Sequence, residues 1–376
     1  ASGGIKVPTG TGQGLPEWVP SVLDRIATNT ERYKNHASVV IWSLGNEATY
    51  SYAPLNDDYG FWVASMYLLA RDPSRLRKYE RESENYQHPY VKTNGQDPWS
   101  VDVRKNNIVD VHSTQYVLPN YVAGYSGRMP FIHSEYNHAM GQAYGNALEH
   151  WDAIRANDSA QGGFIWDYID QSIRTVRVSE DGTVDEFWGY GGDWIDTNRN
   201  DNAFCGNGLV YADRTPSPKL EEAQKVHQQV NFYAEDLAVT PGGTLSVKVV
   251  NEYEATNLDA FTITWVLTED GITKLGEGTL DLKTSHMYGK SLTGNNNEMV
   301  NITIPASVQP KEGSDYLLTF SVKLKESTNW AEAGYEVAYE QFQLDFSEKD
   351  AQEAMSTDKN FESVEELGSE MTLTGT

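Results

Sequence analysis

The sequence predicts an α/β unit followed by an all-β unit, and two changes of texture along the chain carry that prediction. Up to about residue 230, short apolar runs that end in polar residues alternate with helix-like stretches. Alternation of this kind implies strands paired in parallel, with helices as the crossovers. From about Asn231 onward the runs alternate apolar and polar residues and are separated by turn residues, the pattern of antiparallel strands in a sandwich. A length of 376 residues agrees, being more than one hydrophobic core usually serves.

Taken in order, the chain opens on ASGGIKVPTGTGQG (1–14), which lacks the charged start and apolar stretch of a signal peptide. So loop-like a start directly before a helix reads as a cut rather than a native terminus. Pro16 sits at a first-turn position, and Trp18, Val22, Ile26 and Tyr33 recur at roughly helical spacing, which predicts a helix over 16–33. SVVIWSLGNE (38–47) is a continuous apolar run, as expected of a strand buried on both faces. Similar runs recur at RLRKYE (75–80), NIVDVHSTQY (107–116), PFIHSEY (130–136) and GGFIWDYID (162–170). Helices are expected over 60–70 and 143–156. Each run ends in chemistry-bearing residues: Asn46 and Glu47, Glu80, Tyr116, Glu135, then Trp166 and Asp167. In a (β/α)₈ barrel the C-terminal ends of the strands carry the chemistry. About five such strands are present where a closed barrel needs eight, so the expectation is a partial barrel.

TPSPKLEEAQKVHQQV (215–230) reads as a proline-punctuated turn leading into a helix. TLSVKVVNEY, AFTITWVLTED, MVNITIP, DYLLTFSVKL and YEQFQLDF follow as antiparallel sandwich strands, and an immunoglobulin-like β-sandwich is the fold expected for this part. The expected boundaries are 1–229 for the barrel part and 230–346 for the sandwich. Residues 347–376, rich in Glu, Ser and Lys, read as a linker that closes on MTLTGT, the first strand of a further domain. No internal repeat or low-complexity tract is present.

Composition excludes several functions. With 54 acidic against 29 basic residues the formal charge is −25 and the pI about 4.6, and no basic block exists. Binding to nucleic acid or to an anionic membrane needs clustered Lys and Arg, so neither is expected. No apolar run approaches the length of a membrane-spanning helix. The one cysteine, Cys205, cannot form an internal disulfide; this fits a reducing compartment such as the cytoplasm without requiring it. The 10 Trp and 22 Tyr are the rings a sugar cleft uses as platforms, and equally what large cores contain.

Two carboxylates stand out because each terminates an apolar strand, Glu47 in WSLGNE and Glu135 in FIHSE. Acetal hydrolysis needs one carboxylic acid to protonate the leaving oxygen and a second, ionised carboxylate to attack the oxocarbenium-like centre. A structural ion pair at the barrel mouth would place two Glu residues the same way. The surrounding words decide between these. IWSLGNE (41–47), HSEYNHAMG (133–141), QGGFIWDYIDQS (161–172) and FCGNGLVYADRTPSP (204–218) resemble the β-galactosidase branch of glycoside hydrolase family 2, in that family's order and at similar spacing. The resemblance covers nearly the whole chain, as barrel strands four to eight and the sandwich after them.

What the resemblance implies can be carried over position by position. Glu47 occupies the general acid/base position, and Asn46 that of the residue bonded to the sugar 2-hydroxyl. Glu135 matches the nucleophile, which would form a covalent galactosyl–enzyme intermediate. Tyr116 matches the tyrosine that hydrogen-bonds the nucleophile, His138 a substrate-contacting histidine, and Trp166 the ring that floors the galactose site. Glu47 is also implied as a Mg²⁺ ligand. Asn207, with the backbone carbonyl of Phe204, is implied as part of a Na⁺ site that holds the galactose 6-hydroxyl. Further ligands of both ions lie upstream in the family, outside this chain. The chain departs from the family at ATYSYAPLND (48–57), where a Gly-rich segment is usual, and at Ala37, where proline is common. The reaction implied is hydrolysis of terminal β-galactosides with retention; a sister specificity for glucuronides or mannosides, or a non-catalytic assembly role, are the alternatives. As a partner, either a second copy of the chain or the missing N-terminal half is expected. Alone, the chain is expected to be weakly active or inactive.

Overall fold

The structure is a computed structural model, and it describes residues 19–46, 57–79, 109–194, 202–285, 296–346, 361–367 and 370–375. The chain divides into two compact units, residues 1–227 and 228–376.

The first unit is built on five strands: β1 (Ile41–Ser43), β2 (Leu76–Tyr79), β3 (Val111–Gln115), β4 (Phe131–Tyr136) and β5 (Ala160–Ile165). Spatial order follows chain order and every neighbouring pair is parallel, the succession of a half barrel. Four of the five lie inside the runs singled out in the sequence, and β5 begins two residues ahead of its run, at Ala160 rather than Gly162. The helices are α1 (Val19–Tyr33), α2 (Asp57–Arg71), α3 (Pro119–Gly124), α4 (Ala147–Ala156) and α5 (Pro218–Val226). Helix α3 escapes a sequence reading because it is short, and starts immediately at Pro119. Helix α4 starts four residues later than the periodicity suggests, with Asn146 in the left-handed region before it (φ 63°).

Three packing clusters hold this unit, one of them joining Ala139, Tyr144 and Ala147 to Leu209 and to Ala223 and Val226 of α5. Ile26 of α1, Trp42 of β1, and Ala64 and Leu68 of α2 join Leu44, Val109 and Met129. Phe131 of β4 joins Val122 of α3, Ala153 and Ile154 of α4 and Ala160 of β5. Helices α1 and α2 are further clamped by Glu31, which accepts from Lys34 (2.6 Å), Arg71 (2.6 Å) and Tyr67 (2.9 Å). The Arg71 guanidinium, then Lys34 and Tyr67, pull the Glu31 carboxyl down to about 2. Deeper in, the fully buried Arg77 of β2 makes a two-pronged pair with Asp110, at 2.8 and 3.0 Å, and donates to Ser65 Oγ of α2 at 2.7 Å. A two-pronged, hydrogen-bonded geometry is what makes a buried charge pair tolerable.

After β5 comes a hairpin, β6 (Ile173–Val178) and β7 (Val184–Gly189), in register from Ile173↔Gly189 to Val178↔Val184. Its turn carries Gly182 at φ 83°.

The second unit places β8 (Val230–Tyr233), β9 (Thr244–Asn251) and β12 (Asn297–Thr303) in one antiparallel sheet, in the order β12-β9-β8. A second antiparallel sheet has the order β11-β10-β13-β14, from β10 (Phe261–Glu269), β11 (Thr273–Leu280), β13 (Tyr316–Leu324) and β14 (Glu336–Leu344). One core joins them: Leu245, Val247 and Val249 of β9 share it with Ile263 and Leu267 of β10 and Leu318, Phe320 and Val322 of β13. The alternation that predicts a sandwich is the alternation of burial along β9 and β13. Strands β8 and β11 are additions to the five runs that the sequence displays. Within the stretch that reads as linker, β15 (Phe361–Leu367) and β16 (Glu370–Gly375) pair as an antiparallel hairpin.

Candidate active site

The chemistry-bearing side chains of the first unit gather at the C-terminal ends of β3, β4 and β5. Strand β4 is buried along its whole length, so Glu135, one residue from its end, sits in a largely water-free setting at 8% exposure. A carboxylate there must be satisfied by donors. The register between β3 and β4 supplies them. His112, Ser113 and Thr114 pair with Phe131, Ile132 and His133, and then the register slips so that Gln115 pairs with Glu135. Gln115 Nε2 donates to Glu135 Oε1 at 2.9 Å, and the next residue, Tyr116, donates its hydroxyl to Glu135 Oε2 at 2.7 Å.

Tyr116 reaches that position from an unusual backbone, φ 51°, in the left-handed region. A non-glycine residue there costs energy and persists only where its surroundings hold it. Its amide donates to Glu135 O at 2.9 Å, so backbone and side chain are tied to the same residue. The Tyr116 ring stacks on His138 (centroids 5.8 Å, 26° between planes), and His138 meets the edge of Phe204 at 5.5 Å. His138 Nδ1 is buried with no hydrogen-bond partner among the described residues, leaving it a polar atom to offer a ligand.

Trp166 directly follows β5, half-buried, with its carbonyl accepting Ala139 N–H at 2.7 Å and its amide donating to Tyr136 O at 3.2 Å. Asp167 next to it donates its amide to Asn207 O at 2.9 Å. Burial raises the Asp167 carboxyl above the usual range, and the charge of Asp170 adds to this. Asp167 Oδ2 accepts from Gln171 at 2.6 Å, while Oδ1 has no partner among the described residues.

The loop carrying Phe204 and Asn207 is lashed to the strand ends. Gln171 N–H donates to Cys205 O at 2.8 Å, and Gly141 N–H to Gly206 O at 2.8 Å. Gly208 makes this close approach possible: a Cβ there would lie 2.3 Å from Asp170 N. Asn207 is fully buried, and neither Oδ1 nor Nδ2 finds a partner among the described residues. An orphaned buried amide oxygen is the donor chemistry a hard cation takes, so Asn207 fits the Na⁺ that the resemblance implies.

Asn46 lies past the end of β1, exposed, with its Oδ1 accepting from Gln115 Nε2 at 3.1 Å. Of the expected site residues, Glu135, Tyr116, Asn46, His138 and Phe204 thus form one connected set. Trp166 and Asn207 are tied to it through backbone bonds of the 137–141 and 166–171 segments. Glu47, the expected acid/base and Mg²⁺ ligand, and Glu80 lie outside the described residues. Gln115 escapes a motif-based reading although it contacts two of the site residues. The signal available for it is its place beside Tyr116 at the end of a strand.

With this geometry in place, the comparison with known sequences is decisive. The family model described as the TIM barrel domain of glycosyl hydrolases family 2 matches residues 10–232, more than half of the chain. The chain belongs to glycosyl hydrolase family 2. A second family model, described as domain 4 of beta-galactosidase, matches residues 247–345. Among curated proteins, the chain is 35% identical over 365 residues to a beta-galactosidase of Priestia megaterium, covering 95% of the chain and 31% of that protein. It is 33% identical over 333 residues to a beta-galactosidase of Photobacterium profundum, covering 88% of the chain and 29% of that protein. The chain therefore spans about a third of the length of the curated relatives it matches. A solved Parabacteroides merdae beta-glucuronidase superposes with a TM-score of 0.39 at 13% identity, covering 89% of this chain and 39% of that one.

Proposed function

We propose that the chain carries the active-site strands of a retaining β-galactosidase, with Glu135 as nucleophile and Glu47 as general acid/base. The observation that carries this is the grip on Glu135: a buried carboxylate at a parallel strand end, with one donor on each oxygen. Donors on both oxygens fix the direction of the carboxylate, which is what a positioned nucleophile needs. In the reaction, a Glu135 oxygen bonds to the anomeric carbon as the bond to the aglycone oxygen breaks, and that oxygen takes the proton of Glu47. Water then replaces Glu135 at the same carbon, giving its proton to Glu47, so two inversions leave the configuration retained. Asn46 serves the sugar 2-hydroxyl, His138 offers its free Nδ1 to a hydroxyl, and Trp166 gives the sugar a platform. Asn207 and the Phe204 carbonyl would hold Na⁺, which would supply a charged anchor for the 6-hydroxyl, and Glu47 would also be a ligand of Mg²⁺. The names of the curated relatives favour galactose.

In this reading residues 1–229 are catalytic, 230–346 form the sandwich and 347–376 are a linker. Activity is expected to need the rest of the barrel, supplied by a longer polypeptide or in trans, or by self-association. The test compares matched nitrophenyl β-galactoside, β-glucuronide and β-mannoside on the chain alone and after addition of a polypeptide carrying the other barrel strands. Galactoside turnover that appears on complementation and is nearly abolished by Glu135→Gln is the expected result. A slower rate on the galactoside than on both other sugars overturns the specificity, and near-normal turnover by Glu135→Gln overturns the nucleophile.

A further inference from the structure

We infer that Gln115 is a positioning residue that couples the nucleophile to Asn46, and that it sets which end of the Asn46 amide faces the sugar. This rests on the reading of Glu135 and Asn46 as nucleophile and 2-hydroxyl partner. One nitrogen, Gln115 Nε2, lies 2.9 Å from Glu135 Oε1 and 3.1 Å from Asn46 Oδ1. The assignment of nitrogen and oxygen in this amide is dictated by chemistry: an ionised carboxylate only accepts, so the NH₂ group must face Glu135. An NH₂ group carries two hydrogens, and this geometry uses one on each partner.

The second of those bonds has the larger consequence. With Asn46 Oδ1 engaged by Gln115, the Asn46 amide cannot flip without losing its bond, and its Nδ2 is left as the group turned away from Gln115. Asn46 therefore meets the sugar as a donor, and a sugar 2-hydroxyl facing it is an acceptor there. Contacts to the 2-hydroxyl strengthen in the transition state of glycoside hydrolysis, so fixing this polarity in advance acts on the chemical step more than on ground-state binding. The first bond fixes the plane of the Glu135 carboxylate together with Tyr116, one donor per oxygen. The register slip that pairs Gln115 with Glu135 is what delivers the amide to both groups at once.

The experiment is a cycle of Gln115→Leu against removal of the sugar 2-hydroxyl, run in the complemented, active protein. With a nitrophenyl β-galactoside, Gln115→Leu is expected to lower kcat by roughly 10- to 100-fold with little change in KM. The 2-deoxy substrate should lose much less on the same substitution, because the contact that Gln115 prepares is already absent. Gln115→Glu should behave as Gln115→Leu at neutral pH and regain activity as pH falls, when the introduced carboxyl takes a proton and can donate again. Equal losses on both substrates, or an unchanged kcat in Gln115→Leu, overturn the inference while leaving Glu135→Gln to judge the nucleophile separately. An inactive wild type would instead sink the functional reading. In that event the coupling is read from the Asn46 side-chain amide by NMR: one sharp pair of N–H signals in the wild type that broadens in Gln115→Leu supports it, and an unchanged pair refutes it.

Discussion

Acidification should unlock the first unit through His133. This ring lies on β4, fully buried, against Phe131 (5.0 Å), Tyr136 (5.4 Å) and His150 of α4 (5.4 Å), and neither of its nitrogens has a hydrogen-bond partner among the described residues. Burial, and after it the nearby His150, hold it down at about 4 against an ordinary 6.5. The folded value lies below the unfolded one, so the contribution to stability is complete above pH 6.5 and is lost as pH falls toward 4. At 1.36 kcal/mol per tenfold change in proton activity, the full gap is worth about 3 kcal/mol. At pH 5 the unfolded chain already carries the proton and the folded chain does not, so about 2 kcal/mol of this is gone. The assay is urea unfolding at pH 7 and pH 5, followed by hydrogen exchange of the β4 peptide so that the first unit alone is read. His133→Leu removes the titrating group while keeping an apolar side chain. Between the two pH values the wild type should lose about 2 kcal/mol more than the variant, since the subtraction cancels other titrating groups. Equal losses in wild type and His133→Leu would refute the reasoning.

Two further outcomes concern the chemistry and are measured on the complemented protein. Glu47→Ala should slow hydrolysis of lactose far more than that of a nitrophenyl galactoside, because a basic leaving oxygen depends on acid assistance; equal losses would make Glu47 structural. Replacing K⁺ by Na⁺ in the buffer should lower KM for the galactoside, and Asn207→Ala should erase that response; a Na⁺ effect that survives the substitution places the ion elsewhere.

Much of this fold is legible in the chain because burial writes it there. Strands β1, β4 and β5 fall in apolar runs, and the β9 and β13 strands show their alternation directly. The β6–β7 hairpin is written too, in the alternation of IRTVRV and the Asp181–Gly182 turn, yet it sits among motif residues that draw attention away. Glu135, Tyr116 and His138 are legible because they fall in or at the end of recognisable strand words. Gln115 is not, since its role comes from a register slip between two strands, and register is a property of pairing rather than of either strand alone. His133 is opaque for a similar reason: a histidine in an apolar run does not say whether its nitrogens find partners.

The Arg77–Asp110 fork gives the half barrel an all-or-none character. Arg77 belongs to β2, Asp110 immediately precedes β3, and Ser65 comes from α2, so three segments must arrive before the guanidinium is satisfied. A strand shifted by one residue would present Arg77 to the wrong face and leave it buried beside no carboxylate, at a cost of about 3–5 kcal/mol. Apolar side chains forgive such slips more readily, because one aliphatic contact can stand in for another. The fork therefore acts as a key: it adds little to the depth of the native state, but it penalises the neighbouring registers that a run of valines and leucines would otherwise accept.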